Sequence, residues 1–221
     1  MFYRHLLRHE NKKSKQHSKN MTTPSRPYSD EEELRELSFQ YIIDAHQFAK
    51  QAEILLDDTS LTRNCEYHIG YLSKISVMLY MSIECSLKSM ICTSHVGEAP
   101  HSVYWRRIRT ASHFFTKLTA EITDFSSKIG DSSLEAELNQ LATADVSERY
   151  CLEVTSASNL LGDFNIDESD LNDQIQENRK LLDTAKQLRQ KVWNLRKDEF
   201  DGHRALPPNK VKAVLKRIKT K

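Results

Sequence analysis

A cluster of basic and aromatic residues offers the clearest chemistry in the middle of the chain. It comprises Trp105, Arg106, Arg107, Arg109 and His113. An arginine beside an aromatic ring suits nucleic acid, because the guanidinium group holds phosphate oxygens while the ring stacks on a base. A basic rim that pairs with acidic residues of a second copy would use the same side chains. The cluster therefore indicates either a nucleic-acid contact or a surface for self-association.

A second basic group lies at the C-terminal end of the chain. After Pro207 and Pro208, the pattern predicts a short amphipathic helix over 207–221. Its basic residues include Lys210, Lys212, Lys216 and Arg217. We expect these side chains to bind nucleic acid or an acidic partner surface, with a solvated frayed end as the alternative.

The net charge of +1 conceals a strong asymmetry along the chain. Residues 1–29 carry a net charge of +6, residues 30–190 a net charge of −12, and residues 191–221 a net charge of +7. An acidic body between two basic ends favours self-association or an anionic partner for the ends. Residues 1–28 are polar and basic, which predicts a disordered tail before the folded part.

The composition indicates an all-α protein. The 221 residues include only 5 Gly and 5 Pro, too few for a turn-rich all-β chain. Apolar residues make up 38% and charged residues 29%, a balance that suits a helical bundle with long solvated faces. We find no convincing strand and no repeat of fixed period.

Several motifs that would indicate a cofactor or metal are absent from the sequence. There is no glycine-rich phosphate loop, no H-E-x-x-H, no G-x-S-x-G and no EF-hand loop. The four cysteines, Cys65, Cys85, Cys92 and Cys151, form no C-x-x-C pair, which favours buried thiols in a reducing compartment. We therefore expect no cofactor and no metal.

The sequence also predicts a cytoplasmic protein. No run approaches 18 apolar residues, so no membrane span is expected. The N-terminal residues have only Leu6 and Leu7 as an apolar centre, too short for a secretory signal. Translation could begin at Met1 or at Met21.

Apolar periodicity places the helices. Ser29, with Glu32 three residues on, has the capping-box spacing and predicts a helix that ends near 57–60. The central helix, over about 66–92, is apolar around much of its circumference, which predicts burial by several neighbours and a homodimer or larger assembly. A third helix, with Phe114 in its apolar set, is expected after a loop over 95–102, with a break at a second N-cap signal near 112–113. A turn over 126–133 and a long helix from Ser169 or Asp170 are expected after it.

Two segments of this pattern resemble the HEPN domain, a small helical bundle. The segment YLSKISVMLYMSIECSLKSMI (71–91) is followed by a short Pro-containing loop and by SHFFTKL (112–118). The residues that carry the resemblance are Ile83, Glu84, Leu87 and Lys88 on the central helix, and His113, Phe115 and Leu118 on the next. The resemblance implies a HEPN-like up-and-down bundle, which we place over 29–200. Glu84 and Lys88 lie four residues apart, a spacing that predicts a structural ion pair.

The resemblance also implies an activity, because many HEPN proteins are metal-independent ribonucleases with an Arg and a His separated by four to six residues. The 2′-hydroxyl of the RNA attacks its own phosphate while the His moves the proton and the Arg holds the phosphate oxygens. The family commonly has Asn, Asp or His directly after the Arg. Arg63, Asn64 and His68 meet that pattern with four intervening residues, and they are the predicted catalytic residues.

The position of this match leaves two interpretations open. The family usually carries the pair on a late helix, where this chain has Arg149 with no His five to seven residues later. Either the motif is relocated, giving an RNA-cleaving effector of a prokaryotic antiviral defence or toxin–antitoxin system, or the bundle is degenerate. A degenerate bundle would be a catalytically inactive adaptor that oligomerises and binds a partner protein, nucleotide or nucleic acid. A plain helical assembly module is the third possibility.

Overall fold

The fold is an all-α helical bundle, as the composition predicts. A computed structural model describes residues 29–58, 65–143, 168–200 and 208–220, and within these ranges there is no strand. The first helices are α1 (Asp30–Asp57), α2 (Cys65–Ser94) and α3 (Pro100–Ser102), which continues into a π-helix (Val103–Arg109). They are followed by α4 (Phe115–Ala120), α5 (Phe125–Ile129), α6 (Ser132–Thr143), α7 (Glu168–Glu199) and α8 (Pro208–Thr220). The predicted N-terminal tail, residues 1–28, lies outside the described residues.

Helix α1 begins where its capping signal predicts. The backbone N–H of Glu32 donates to Ser29 Oγ at 3.1 Å, and the backbone N–H of Ser29 donates to Glu32 Oε2 at 2.8 Å. This reciprocal pair is a capping box, and acidic residues in the first turn add a favourable interaction with the helix dipole. The helix ends at Asp57, within the range that the apolar pattern predicts.

Helix α2 is the centre of the bundle and packs against both α1 and α7. Leu79, Ile83 and Leu87 are fully buried, and each contributes about 1.5–3 kcal/mol of stability through the apolar area removed from water. Small residues let α1 approach closely. Ser82 Oγ donates to the carbonyl oxygen of Ala45 at 2.8 Å, so its buried hydroxyl is satisfied by the neighbouring helix.

The burial of α2 bears on two predictions made from its apolarity. Over Leu72–Ser94 it is long and apolar enough to cross a membrane by length and composition alone, but 67% of its most apolar window is buried inside the bundle, as in a core helix. The same burial removes the argument for self-association, because α1, α4 and α7 of one chain cover the described part of α2. The homodimer stays a prediction without that support.

A buried charged cluster joins the start of α1 to the end of α7, which the sequence pattern did not indicate. Arg35, Glu36 and Arg196 are all less than a tenth exposed. The guanidinium carbon of Arg196 lies 4.6 Å from the centre of the Phe39 ring. Burial lowers the pKa of Arg196 to about 10, so the side chain remains charged at neutral pH. Helix α7 is therefore fixed at this end by a charge as well as by apolar contacts.

The structure corrects three local predictions. Part of the segment predicted as a turn over 126–133 is helical, in α5 and at the start of α6, with Gly130 between them in the left-handed region at a φ of 56°. The predicted loop over 95–102 ends early because Pro100 begins α3. Phe114, placed in the apolar set of the third helix, is 44% exposed, because it precedes α4 in an extended conformation.

Candidate functional site

The candidate site is built around Glu84, a carboxylate that is 1% exposed in the middle of α2. Lys88 Nζ lies 2.5 Å from Glu84 Oε1, so the two side chains form the pair that their spacing predicts. His113 reaches the same carboxylate from a different element, with Nδ1 at 2.9 Å from Oε2 and 3.0 Å from Oε1. We call Glu84, Lys88 and His113 the Glu84 cluster.

The backbone just before His113 is in a conformation that side chains rarely adopt. Ser112 has a φ of 55°, in the left-handed region, and it stands where the sequence predicts a helix break. The turn ends at α4, whose first residue, Phe115, is 1% exposed and anchors the segment in the core. The turn at Ser112 leads directly to His113, which contacts Glu84 on the neighbouring helix.

The surroundings of Glu84 are poor in water. Burial is the main cause that raises the pKa of Tyr41 well above its ordinary value, with smaller contributions from neighbouring groups that include Glu84. Burial likewise raises the pKa of Cys85 to about 12, so the phenol and the thiol stay neutral at pH 7. Glu84 is therefore held by Lys88 and His113 in a region where a charge interaction is weakly screened.

A buried carboxylate against Nδ1 of a histidine has a known chemical use. It fixes the orientation and tautomer of the imidazole and stabilises the imidazolium that forms when the ring takes a proton. The side chain of His113 is 51% exposed, so a substrate can reach its ring from solvent. The arrangement is suited to general acid–base chemistry at the bundle surface.

The π-helix directly before this turn carries the predicted basic and aromatic cluster. π-helices are rare and are frequently found at functional sites. Arg106 and Arg109 are exposed, while Trp105 is partly buried. The guanidinium carbon of Arg109 lies 5.0 Å from the centre of the Trp105 ring, a cation–π contact. The structure thus places two exposed cations and an indole on the segment that leads to His113.

Arg107, from the same predicted cluster, is bound within the chain. Its Nη2 donates to Glu98 Oε1 at 3.0 Å, and its Nη1 donates to Glu121 Oε2 at 2.8 Å. These bonds raise the pKa of Arg107 and, together with a contact from His95, lower the pKa of Glu98. Arg107 therefore fastens the turn after α2 to the turn after α4.

We expect Glu98→Gln to reduce stability at neutral pH and to have no effect in acid. The pKa of Glu98 is lowered in the folded state, so its contribution is present above the ordinary carboxyl pKa, about 4.3, and is lost as the pH falls through the lower folded value. Urea unfolding of both proteins between about pH 7 and pH 3 measures the difference. Glu177→Gln, at an exposed position of α7, is the control. A difference that stays constant with pH would contradict this account.

Helix α8 packs on the bundle. Val214 and Ile218 are buried, and Arg217 forms an ion pair with the buried Glu33 at the start of α1. Lys212 and Lys216 are exposed. The structure describes the backbone of Lys210 but not its side chain. Most of the predicted basic positions are thus held on a fixed surface.

The predicted catalytic residues fall largely outside the described part of the chain. Arg63 and Asn64 precede α2 there, and His68 is described only as a backbone position on α2. Their convergence stays a prediction. Within residues 29–58, 65–143, 168–200 and 208–220, no group of three or more His, Cys, Asp or Glu side chains could hold a metal ion.

The contact between Glu84 and His113 is the feature of the candidate site that sequence reasoning missed. The two residues are 29 positions apart, and the sequence pattern indicated separate roles for them. The available signal was an acidic residue in an otherwise apolar helix, because a buried carboxylate needs more than one partner.

No family model matches the chain, and no curated protein and no solved structure matches it either.

Proposed function

We propose that the protein acts on RNA and cleaves it without a metal, with His113 as the group that moves the proton. The observation that carries the proposal is the half-exposed imidazole of His113 with Nδ1 2.9 Å from the buried carboxylate of Glu84. The exposed Arg106 and Arg109 on the preceding π-helix supply the positive charge that an RNA strand needs. The resemblance to HEPN domains points in the same direction.

The reaction uses only the RNA, water and side chains of the chain. The imidazole takes the proton of a 2′-hydroxyl while that oxygen bonds to the adjacent phosphorus. The bond from phosphorus to the 5′ oxygen breaks, and the departing oxygen takes a proton from water. Glu84 stabilises the imidazolium, and nearby arginines stabilise the charge on the phosphate oxygens. The products are a 2′,3′-cyclic phosphate and a 5′-hydroxyl end.

The experiment is incubation of a labelled RNA with the purified protein in EDTA, followed by analysis of the new ends. The proposal expects cleavage that yields a 2′,3′-cyclic phosphate. The same RNA with 2′-O-methyl groups is the control, because it lacks the nucleophile. An RNA that stays intact, or a product with a 3′-hydroxyl end, would contradict the proposal.

The second candidate is the non-catalytic adaptor. It is favoured by Arg107, whose guanidinium group is engaged by Glu98 and Glu121 and so is directed to structure within the chain. On this interpretation the Glu84 cluster holds α4 against α2 and does no chemistry. Three expectations from the sequence stay predictions for both candidates. They are a role in a prokaryotic defence or toxin system, a partner protein and a cytoplasmic location.

The exposed lysines of α8 give a prediction about salt. Replacing Lys212, Lys216 and Lys219 together by Gln should flatten the slope of log affinity against log salt by up to about 2, since each contact to single-stranded RNA contributes about 0.7. Point changes are needed because removal of α8 would expose the buried face of Val214 and Ile218. Fluorescence anisotropy at several salt concentrations measures the slope. An unchanged slope would exclude α8 from the RNA-binding surface.

A further inference from the structure

Three flat side chains stand in a row on the segment that begins with α3 and continues through the π-helix. They are His101, Trp105 and Arg109, each four residues after the last, a spacing that places them on one face. The ring centres of His101 and Trp105 are 6.3 Å apart and the two rings meet edge-on, at 62°, while the Arg109 guanidinium carbon lies 5.0 Å from the Trp105 ring centre. We call these three residues the stacking row.

Helix α8 fixes the orientation of this row. Trp105 Nε1 donates to the carbonyl oxygen of Ile218 at 3.3 Å, and His101 Nδ1 lies 3.4 Å from the same oxygen. Tyr104 meets the indole edge-on, with ring centres 5.2 Å apart. Because the indole is held by a hydrogen bond and by an aromatic edge, its plane is set before any ligand arrives, which lowers the entropic cost of binding.

Exposed basic residues lie next to the row in the sequence or on the helix that contacts it. Arg106 on the π-helix and Lys219 on α8, next to Ile218, are exposed. Aromatic and guanidinium planes stack on unpaired bases of any sequence, while flanking cations follow the phosphates. In a duplex the bases are stacked on one another and offer no free face to such a row.

We infer that the stacking row selects single-stranded RNA and holds its bases by stacking on Trp105 and Arg109. This inference rests on the proposed function and names the substrate class for it. The row does not depend on His113, so binding to it and cleavage are separate properties.

The chain has two tryptophans, which allows a direct test. In Trp193→Phe the only indole is Trp105, and in Trp105→Phe it is Trp193, which is 40% exposed on α7. The ligands are 2′-O-methyl oligouridine, which cannot be cleaved, and a 2′-O-methyl duplex of equal length. We expect oligouridine to quench Trp105 and not Trp193, and the duplex to bind more weakly.

A variant that cannot disturb the core tests the row itself. Arg109 is exposed, so Arg109→Gln should weaken oligouridine binding at least about fivefold through lost stacking and charge, and more than Lys180→Gln, which removes an exposed charge from α7. Oligouridine binding that leaves Trp105 unquenched and is insensitive to Arg109→Gln would overturn the inference and leave the proposed function standing. Equal affinity for the duplex would also overturn it. Failure to bind either RNA would overturn both.

Discussion

Lys88→Met is expected to lower the free energy of unfolding by about 3–5 kcal/mol. The change removes the ammonium group that lies 2.5 Å from Glu84 Oε1 and leaves a carboxylate that is 1% exposed with less compensating charge. Methionine has similar length and fills the same space, so the loss is electrostatic. Urea unfolding at neutral pH measures it.

The chain offers a matched control for this prediction. Lys186 Nζ lies at the same distance, 2.5 Å, from Glu53 Oε1, but the two side chains are 37% and 42% exposed. Lys186→Met should therefore cost no more than about 1 kcal/mol, because water screens the pair. Similar losses of stability in Lys88→Met and Lys186→Met would show that the burial of Glu84 does not determine the cost of removing its partner.

The double variant Glu84→Gln/Lys88→Met separates the interaction energy of the pair from the effects of the two single changes. Removal of both charges should recover much of the stability lost in Lys88→Met, since no buried charge is then left with reduced compensation. A double variant that is less stable than the wild type by the sum of the two single losses would contradict a direct interaction between Glu84 and Lys88.

His113→Asn is expected to slow RNA cleavage by about 100- to 10,000-fold, the range for loss of a general acid–base group. Asparagine keeps a hydrogen-bond donor that can face Glu84, so α4 should stay in place while proton transfer is lost. Glu84→Gln should also slow cleavage, because an amide cannot stabilise the imidazolium. Initial rates in EDTA measure both effects.

His46→Asn is the control for this second prediction. His46 is exposed on α1 and contacts Arg189 of α7, which is not part of the Glu84 cluster. Its replacement should leave the cleavage rate within about twofold of the wild type, since loss of a remote group does not touch the reacting atoms. An equal loss of activity in both variants would mean that His113 acts through general stability.

The sequence predicted those features that depend on local patterns. The capping box at Ser29 and Glu32 marked the start of α1, and a second N-cap signal marked the break near Ser112. The burial of α2 followed from its apolar circumference. Each of these rests on spacing within a few residues, where helix geometry alone relates sequence to structure.

Features that depend on tertiary packing could not be predicted in this way. The bond from Trp105 to the Ile218 carbonyl joins positions 113 residues apart, and the Glu84–His113 contact joins two elements across a strained turn. The π-helix has no spacing signal of its own, because its apolar pattern fits an α-helix nearly as well. No sequence pattern indicated the burial of Arg196 and Glu36, which depends on the meeting of α1 and α7.

The most direct test of the central claim compares His113→Asn with His68→Ala in RNA cleavage by the purified protein in EDTA. The account predicts that the wild type cleaves, that His113→Asn loses cleavage at least about 100-fold, and that His68→Ala retains it. Cleavage that is lost in His68→Ala and retained in His113→Asn would place the chemistry at the N-terminal end of α2 and contradict the role of the Glu84 cluster. No cleavage by the wild type would contradict catalysis and favour the adaptor.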